Sequence, residues 1–180
     1  MATNFRLIEK FSVTRGSTTL QLTDIFSDAF DIYRIVLSDF RVDTATDYFY
    51  TRLINSSGTV ISTSTYDTTS SLFLANANFQ QLRAVDYTRI VPSTTLIDDD
   101  SFTSYNAIFN FYQPFDSSAY TFFTSEVTQW MNGVGRGART SGVEQTQQSI
   151  TGIELAVGTL SHVYEEGNAT VYGIKWVQIV

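Results

Sequence analysis

The sequence has 180 residues, a formal net charge of −7 at pH 7 and no cysteine. This length fits one domain with a single buried core, so we expect residues 1–180 to form one domain with short terminal arms. The absence of cysteine excludes disulfides and thiolate zinc sites. The negative charge argues against nucleic-acid binding, which requires clustered Lys and Arg. No apolar run has the length of a signal peptide or a membrane span, so we expect no membrane partner.

The residue types favour strands over helices. Thr, Ser and aromatic residues are abundant and Lys is scarce, a mixture that suits pleated surfaces. Alternation of polar and apolar residues predicts the first three strands within residues 5–14, 18–23 and 31–37. Both faces of the third are apolar, because Tyr33 and Ile35 lie on one side and Ile32 and Val36 on the other. We therefore expect it to be an interior core strand.

The middle of the chain predicts two more pairs of strands and one ambiguous segment. Residues 48–54 and 59–66 flank a Gly-containing turn and are predicted to form a hairpin. Residues 105–113 and 120–131 are predicted to run in opposite directions around a second turn. Between these pairs, the segment from Leu72 to Val91 approximates a helical stripe, so the pattern admits one short helix there.

The last third of the chain combines a Gly-rich stretch with two strands. Residues 132–148 are rich in Gly, Ser, Thr and Gln and are predicted to be a long mobile loop. Apolar residues then alternate within 149–157 and again within 171–176, with a polar turn at 165–167 between them. We predict that these two runs form a hairpin-like pair, around which the other strands pack.

About eight to ten strands separated by turns are typical of an all-β fold. We therefore predict a two-sheet antiparallel β-sandwich of jelly-roll type. No internal repeat or low-complexity linker divides the chain.

Three motifs resemble those of small β-rich structural proteins of tailed bacteriophages, particularly marine and cyanobacterial ones. They are residues 30–37, residues 50–66, and residues 150–155 followed by 171–175, and the resemblance covers most of the chain apart from 68–100. It implies a non-enzymatic virion component, either a capsid decoration (cement) protein or part of a tail or fibre. The implied partners are other copies of the chain and other virion proteins, such as the major capsid or tail proteins. The implied location is the virion, assembled in the host cytoplasm, with no catalytic residue or cofactor.

The chain continues beyond the last of these motifs with five further residues. Apolar side chains occupy both sides of this segment, at Trp176, Val177, Ile179 and Val180. In a monomer such a segment would be an exposed, aggregation-prone edge. We therefore expect it to pair with, or dock onto, a neighbouring subunit.

Candidate catalytic and metal-binding residues are sparse. His162 is the only histidine, so a Ser-His-Asp triad or a His-rich metal site would rest on one residue in a predicted turn. The aspartates at 98–100 lack the spacing and the Gly of an EF-hand loop, which favours a solvated acidic turn. Asp43 and Asp47 would need an enclosing cleft to act as paired carboxylates. We therefore predict that the protein is not an enzyme and that it has no cofactor and no metal.

The Gly-rich residues 133–139 superficially resemble a phosphate-binding loop. They lack the Gly-Lys-Ser/Thr ending of a P-loop and the helix that should follow it. A flexible loop is the favoured interpretation. In that loop, Arg136 and Arg139 are predicted to contact an acidic surface on a partner.

The aromatic residues leave two functions open. A sugar-stacking platform on one sheet could be formed by Tyr48, Tyr50, Tyr66, Tyr112, Tyr120 and Trp130. The same residues could instead fill the core or a subunit interface, where Tyr and Trp are enriched. We favour the second interpretation because their strands need a buried face. The expected function is thus a structural virion protein, and the alternative is a tail-fibre or receptor-binding module that recognises a host-surface glycan.

Overall fold

The computed structural model describes residues 5–43, 49–76, 79–92, 104–131, 133–158 and 163–175. All regular secondary structure in these ranges is β-strand, which confirms the all-β prediction. The short helix admitted between Leu72 and Val91 is absent from the described part of that segment, which holds the end of one strand and the whole of the next. Among the described residues there is no helix long and apolar enough to cross a membrane.

The described residues form eleven strands. In chain order they are β1 (Phe5–Ser12), β2 (Thr19–Leu22), β3 (Ile32–Val42), β4 (Phe49–Asn55), β5 (Tyr66–Leu74), β6 (Gln80–Tyr87), β7 (Tyr105–Tyr112), β8 (Thr121–Met131), β9 (Val134–Glu144), β10 (Ile150–Val157) and β11 (Tyr164–Ile174).

The strands form two antiparallel sheets of unequal size, which confirms the predicted two-sheet sandwich. The large sheet has eight strands in the order β1-β11-β3-β7-β8-β9-β5-β6, and the small sheet has three in the order β2-β10-β4. The predicted pairing of 105–113 with 120–131 is confirmed as the pairing of β7 with β8. Strand β3 lies between β11 and β7, so the prediction that it is an interior strand is also confirmed.

Apolar side chains from both sheets form one core. Tyr33 and Ile35 of β3 are fully buried, and so are Ile153 and Leu155 of β10. The rings of Phe40 and Phe49, which come from different sheets, meet edge to face with centroids 5.8 Å apart. Alternate residues of each strand point into this core, and the residues between them form the opposite face of the sheet.

The predicted hairpin within residues 149–175 is wrong. β10 is the central strand of the small sheet, whereas β11 lies between β1 and β3 in the large sheet. The predicted turn at 165–167 lies inside β11, where register shifts on either side of Glu166 accommodate the polar residues. Alternation shows which face of a strand is apolar, but it does not show which strand is its partner. For this reason the sequence pattern predicts a pairing of two consecutive strands that the fold does not contain.

The predicted mobile loop at residues 132–148 is also wrong, because most of it is β9, which pairs with both β8 and β5. One of its glycines, Gly142, is required for close packing. A Cβ atom on Gly142 would lie 2.4 Å from the backbone oxygen of Asp67 and 2.4 Å from the ring of Phe123. Glycine in a strand interior often marks such a close approach.

The predicted hairpin of 48–54 with 59–66 is confirmed only at its turn. Gly58 has a φ of 77° and its N–H donates to the carbonyl of Asn55. Beyond the turn the two runs share a single bridge, between Ile54 and Val60. Tyr66 then begins β5, which belongs to the large sheet.

Candidate interaction surface

The large sheet has one face against the core and one face turned away from it, which we name the outer face. Strand β8 shows the alternation clearly. Phe123 and Ser125 are buried, whereas Phe122 and Trp130 are each 54% exposed. Cross-strand partners lie on the same face of a sheet, so the register of β8 assigns the side chains of its neighbours.

Six neighbouring strands place an apolar side chain side by side on the outer face. The cross-strand partners in this apolar row are Phe5, Ile174, Ile32, Tyr112, Phe122 and Val143. At about 4.8 Å between strands, the row is about 24 Å long. Phe5 is 42% exposed and Tyr112 is 37% exposed. Ile174, Ile32 and Val143 are half-buried. Contiguous, partly exposed apolar surface of this kind marks interaction sites.

A chain of hydrogen bonds runs beside the apolar row. The Arg34 Nε donates to Asn110 Oδ1 at 2.8 Å, and Asn110 Nδ2 donates to Thr124 Oγ1 at 3.2 Å. The Thr124 hydroxyl is also 3.2 Å from the Tyr112 hydroxyl. These bonds hold the ring of Tyr112 in one orientation, which reduces the entropy cost of binding there.

One end of the outer face contains a groove of about 580 Å³. Tyr112 and Phe122 form its aromatic side, and Thr124 and Ser141 also line it. Arg83 of β6 lines the groove as well. Aromatic rings next to hydroxyl and guanidinium groups can bind either a protein side chain or a sugar ring.

The outer face carries a second aromatic group away from the apolar row. The rings of Phe73 and Phe79 are 5.6 Å apart. Trp130 lies against Gly135, where a Cβ atom would be 3.8 Å from the indole. These exposed rings extend the apolar surface toward the opposite end of the strands.

Arg136 and Arg139 do not form one patch, because they lie on opposite faces of β9. Arg139 is on the outer face and forms an exposed ion pair with Glu126 at 3.2 Å. Arg136 is the cross-strand partner of Gln129, which is buried, and its Nε is buried as well. Of these two arginines, only Arg139 is therefore placed to contact a partner at the outer face. That contact stays a prediction.

Several predicted site residues lie outside the described residues. They are His162, Asp47, Tyr48, the aspartates at 98–100, and the predicted interface residues Trp176, Val177, Ile179 and Val180. Asp43 is described, and its carboxylate accepts a hydrogen bond from the N–H of Val163 at 3.0 Å. Within the described ranges, no group of three or more His, Cys, Asp or Glu residues is placed to hold a metal ion.

The six aromatic residues considered as a sugar platform do not share one surface. Tyr112 and Trp130 lie on the outer face, and Tyr120 is exposed just before β8. Tyr66 is buried in the core. Tyr50 belongs to the small sheet, where the guanidinium groups of Arg52 and Arg89 lie 5.3 and 5.0 Å from its ring centroid.

The small sheet contains a polar cluster that sequence patterns did not indicate. Glu154 is 5% exposed and accepts hydrogen bonds from Arg52 Nη2 at 2.6 Å and Arg52 Nε at 3.0 Å. Its other oxygen accepts from Gln21 Nε2 at 3.1 Å. These residues are cross-strand neighbours in three strands, and this fully bonded carboxylate has a structural role.

Three tyrosines have hydroxyl groups buried in the core. Burial raises the pKa of Tyr66, Tyr105 and Tyr164 above the usual value for tyrosine. Their hydroxyls therefore stay protonated at neutral pH, and none of them can act as a base.

No family model and no curated protein matches this chain.

Proposed function

We propose that this protein is a non-enzymatic structural component of a tailed-phage virion, most specifically a capsid decoration or cement protein or another assembly protein. It acts through contacts with other copies of itself and with other virion proteins. The observation that carries the proposal is the exposed apolar row on the outer face. Burial of this row against a neighbouring subunit supplies the free energy of association.

The size of the outer face supports a specific contact. Between β11 and β5 it spans six strands. With five strand spacings of about 4.8 Å and a shared strand length of about 26 Å, its area is about 620 Å². Standard protein interfaces bury about 800 Å² on each partner.

The charge of the outer face supports the same proposal. The whole chain has a net charge of −7, which opposes self-association. On the outer face, however, Arg34, Arg83 and Arg139 accompany the carboxylates Asp67 and Glu126. Repulsion between two copies, or between this chain and another acidic protein, is therefore smaller at this face than elsewhere.

Replacing Phe122 with Glu tests the proposal. Because the Phe122 ring is exposed, the variant should fold normally, but a charge in the centre of the apolar row should weaken association at least tenfold. Sedimentation of the purified protein over a range of concentrations measures this association. Ser62→Glu, in an exposed segment outside the strands, is the matched control.

Imaging of labelled particles supplies the second half of the test. The proposal expects many copies on the head, or a defined set on the tail, and loss of this labelling for Phe122→Glu. A wild-type protein that is monomeric at all concentrations and does not bind particles would contradict it.

The groove at one end of the outer face favours a second function, recognition of a host-surface glycan by a tail-fibre or receptor-binding module. Tyr112 and Phe122 could stack on a sugar ring while Thr124, Ser141 and Arg83 bond its hydroxyls. A glycan array distinguishes the two functions. Micromolar binding by the wild type that is lost in Phe122→Glu, without any effect on association, would support glycan recognition instead of assembly.

A further inference from the structure

We propose that the free edge of β6 binds residues 176–180 of a second copy as an added β-strand, with a side chain of that segment in the cavity beside β6. This inference rests on the proposed assembly function and deepens it by naming a second contact. The two contacts use different surfaces, since one is a sheet face and the other is a sheet edge.

Strand β6 is the last strand of the large sheet and pairs only with β5 among the described strands. Its register is regular from the Thr68–Ala84 pair to the Leu72–Gln80 pair. Half of its backbone N–H and C=O groups therefore point away from the sheet and can bond another strand. It contains no Pro or Lys, and its two charged residues are Arg83 and Asp86. Asp86 has a φ of 52° and lies beyond the regular part of the ladder, whose register shifts between Tyr66 and Thr68.

The other edge strands are less suited to accept a partner. A register shift between Leu7 and Glu9 interrupts the β1 ladder in its middle, whereas the shift in the β5–β6 ladder lies near its end, between Tyr66 and Thr68. β2 has only four residues. The free side of β4 is partly occupied, since Thr51 and Ile90 exchange backbone hydrogen bonds of 2.9 and 2.8 Å.

A cavity of about 330 Å³ lies on the inner side of β6. Leu82 and Ala84 of β6 line it, and Tyr87 and Val91 also contribute to its lining. Arg89 fixes Tyr87, because its Nη2 donates to the Tyr87 hydroxyl at 3.3 Å and its guanidinium lies 5.3 Å from the ring centroid. A strand added to β6 would direct every second side chain toward this cavity, as in other complexes formed by strand addition.

Residues 176–180 fit this site chemically. Their sequence, Trp-Val-Gln-Ile-Val, has no charge and consists mainly of residues with high β-propensity. At the β6 edge, both their backbone groups and their apolar side chains would find partners. Laid across the outer face, the same segment would lose hydrogen bonds to water without gaining a ladder.

The segment must come from another copy. β11 and β6 are separated by six strand spacings in the large sheet, which is about 29 Å along the sheet. Five residues beyond Lys175 extend at most about 18 Å. The resulting contact is head to tail, and such contacts build rings or filaments.

A complementation experiment with full-length chains tests this inference. Ala84→Trp fills the cavity and removes the acceptor, whereas the double variant Val177→Asp/Ile179→Asp removes the donor. Both are made in the Phe122→Glu background, so that the outer-face contact does not contribute. Each variant alone should be monomeric by sedimentation at concentrations where the Phe122→Glu protein assembles, and an equimolar mixture should form a 1:1 dimer.

Two further variants make the experiment decisive. Gln81→Trp adds the same bulk on the opposite side of β6 and should still assemble. Leu82 also points to the inner side of β6, two residues before Ala84, so Leu82→Trp fills the same cavity. It is used in place of Ala84→Trp if the Ala84→Trp variant does not fold. If the mixture stays monomeric, or if the cavity-filling variant assembles normally, the inference is overturned. Neither result affects the outer-face proposal, which depends on Phe122 alone.

Discussion

The hydroxyl of Tyr66 links the two sheets. Tyr66 belongs to the large sheet, and its hydroxyl accepts a hydrogen bond from the N–H of Leu53 in the small sheet at 3.0 Å. It also donates to the carbonyl of Ile61 at 3.1 Å. By contrast, the buried hydroxyl of Tyr105 has no hydrogen-bond partner among the described residues. Two tyrosines of equal burial therefore contribute differently to stability.

Replacing Tyr66 with Phe should lower the free energy of unfolding by about 2–3 kcal/mol, because two buried backbone groups lose their partner. Replacing Tyr105 with Phe should change it by less than about 1 kcal/mol, since no hydrogen bond is lost and an unpaired polar atom leaves the core. Urea unfolding of both variants measures the difference. Equal destabilisation would show that ring packing, rather than the hydroxyl, determines the contribution of Tyr66.

At the scale of elements, β9 shows how glycine can build a strand. Gly142 faces the core, where the ring of Phe123 and the backbone of Asp67 occupy the space of a Cβ atom. Gly137 has room, because a Cβ atom there would be 3.5 Å from its nearest neighbour, the oxygen of Val127. The same residue type thus has a steric role at one position and none at the other.

We expect Gly142→Ala to reduce the free energy of unfolding by about 2–3 kcal/mol, as overpacked cores do. Gly137→Ala should leave it unchanged or raise it by up to about 1 kcal/mol, because alanine restricts the unfolded chain without a clash. Thermal and urea unfolding of the two variants check this. A mild effect at Gly142 would mean that β8 and β5 can move apart around β9.

Much of this fold could be predicted from alternation alone. The strands β1, β2, β3, β7 and β8 agree with the predicted ones, because extended runs with one or both faces apolar indicate strands. Strand β9 could not be found in this way, because three glycines hide its pattern. The hairpin expected from β10 and β11 failed because consecutive strands need not share a sheet.

The candidate surface was less accessible to sequence reasoning than the fold. Apart from Val143, which lies in a predicted loop, the residues of the apolar row could each be assigned to one face of a strand. The row itself depends on the pairing of β1 with β11, β11 with β3 and β3 with β7, which are far apart in sequence. The same holds for Arg136 and Arg139. They are an odd number of residues apart along β9, so they lie on opposite faces of the strand. Because this segment was predicted to be a loop, the sequence pattern could not assign them to faces.

At the scale of the whole molecule, the unequal sheets explain the exposed surfaces. A three-stranded sheet covers only part of an eight-stranded one. Residues near Ile90 extend the small sheet by one bridge to Thr51, and the Pro92 carbonyl accepts a hydrogen bond from Thr140 of the large sheet. The β5 and β6 end of the large sheet is therefore covered in part by an irregular segment, and β6 pairs only with β5 among the described strands.

The stability of the whole molecule should fall at alkaline pH. Burial raises the pKa of Tyr66, Tyr105 and Tyr164, whereas in the unfolded chain these groups release their protons near pH 10. Their contribution is therefore complete below about pH 10, and it decreases above that value because the unfolded state then binds fewer protons than the folded state. For three groups the slope approaches about 4 kcal/mol per pH unit.

Urea unfolding between about pH 8 and about pH 11, with tyrosinate absorbance recorded in parallel, measures this slope. Tyr105→Phe is the matched variant and should reduce the slope by about one third, since it removes one of three equivalent groups. A free energy of unfolding that stays constant over this range would mean that the three hydroxyls ionise equally well in the folded and unfolded chains. Water would then have to reach these hydroxyls inside the core.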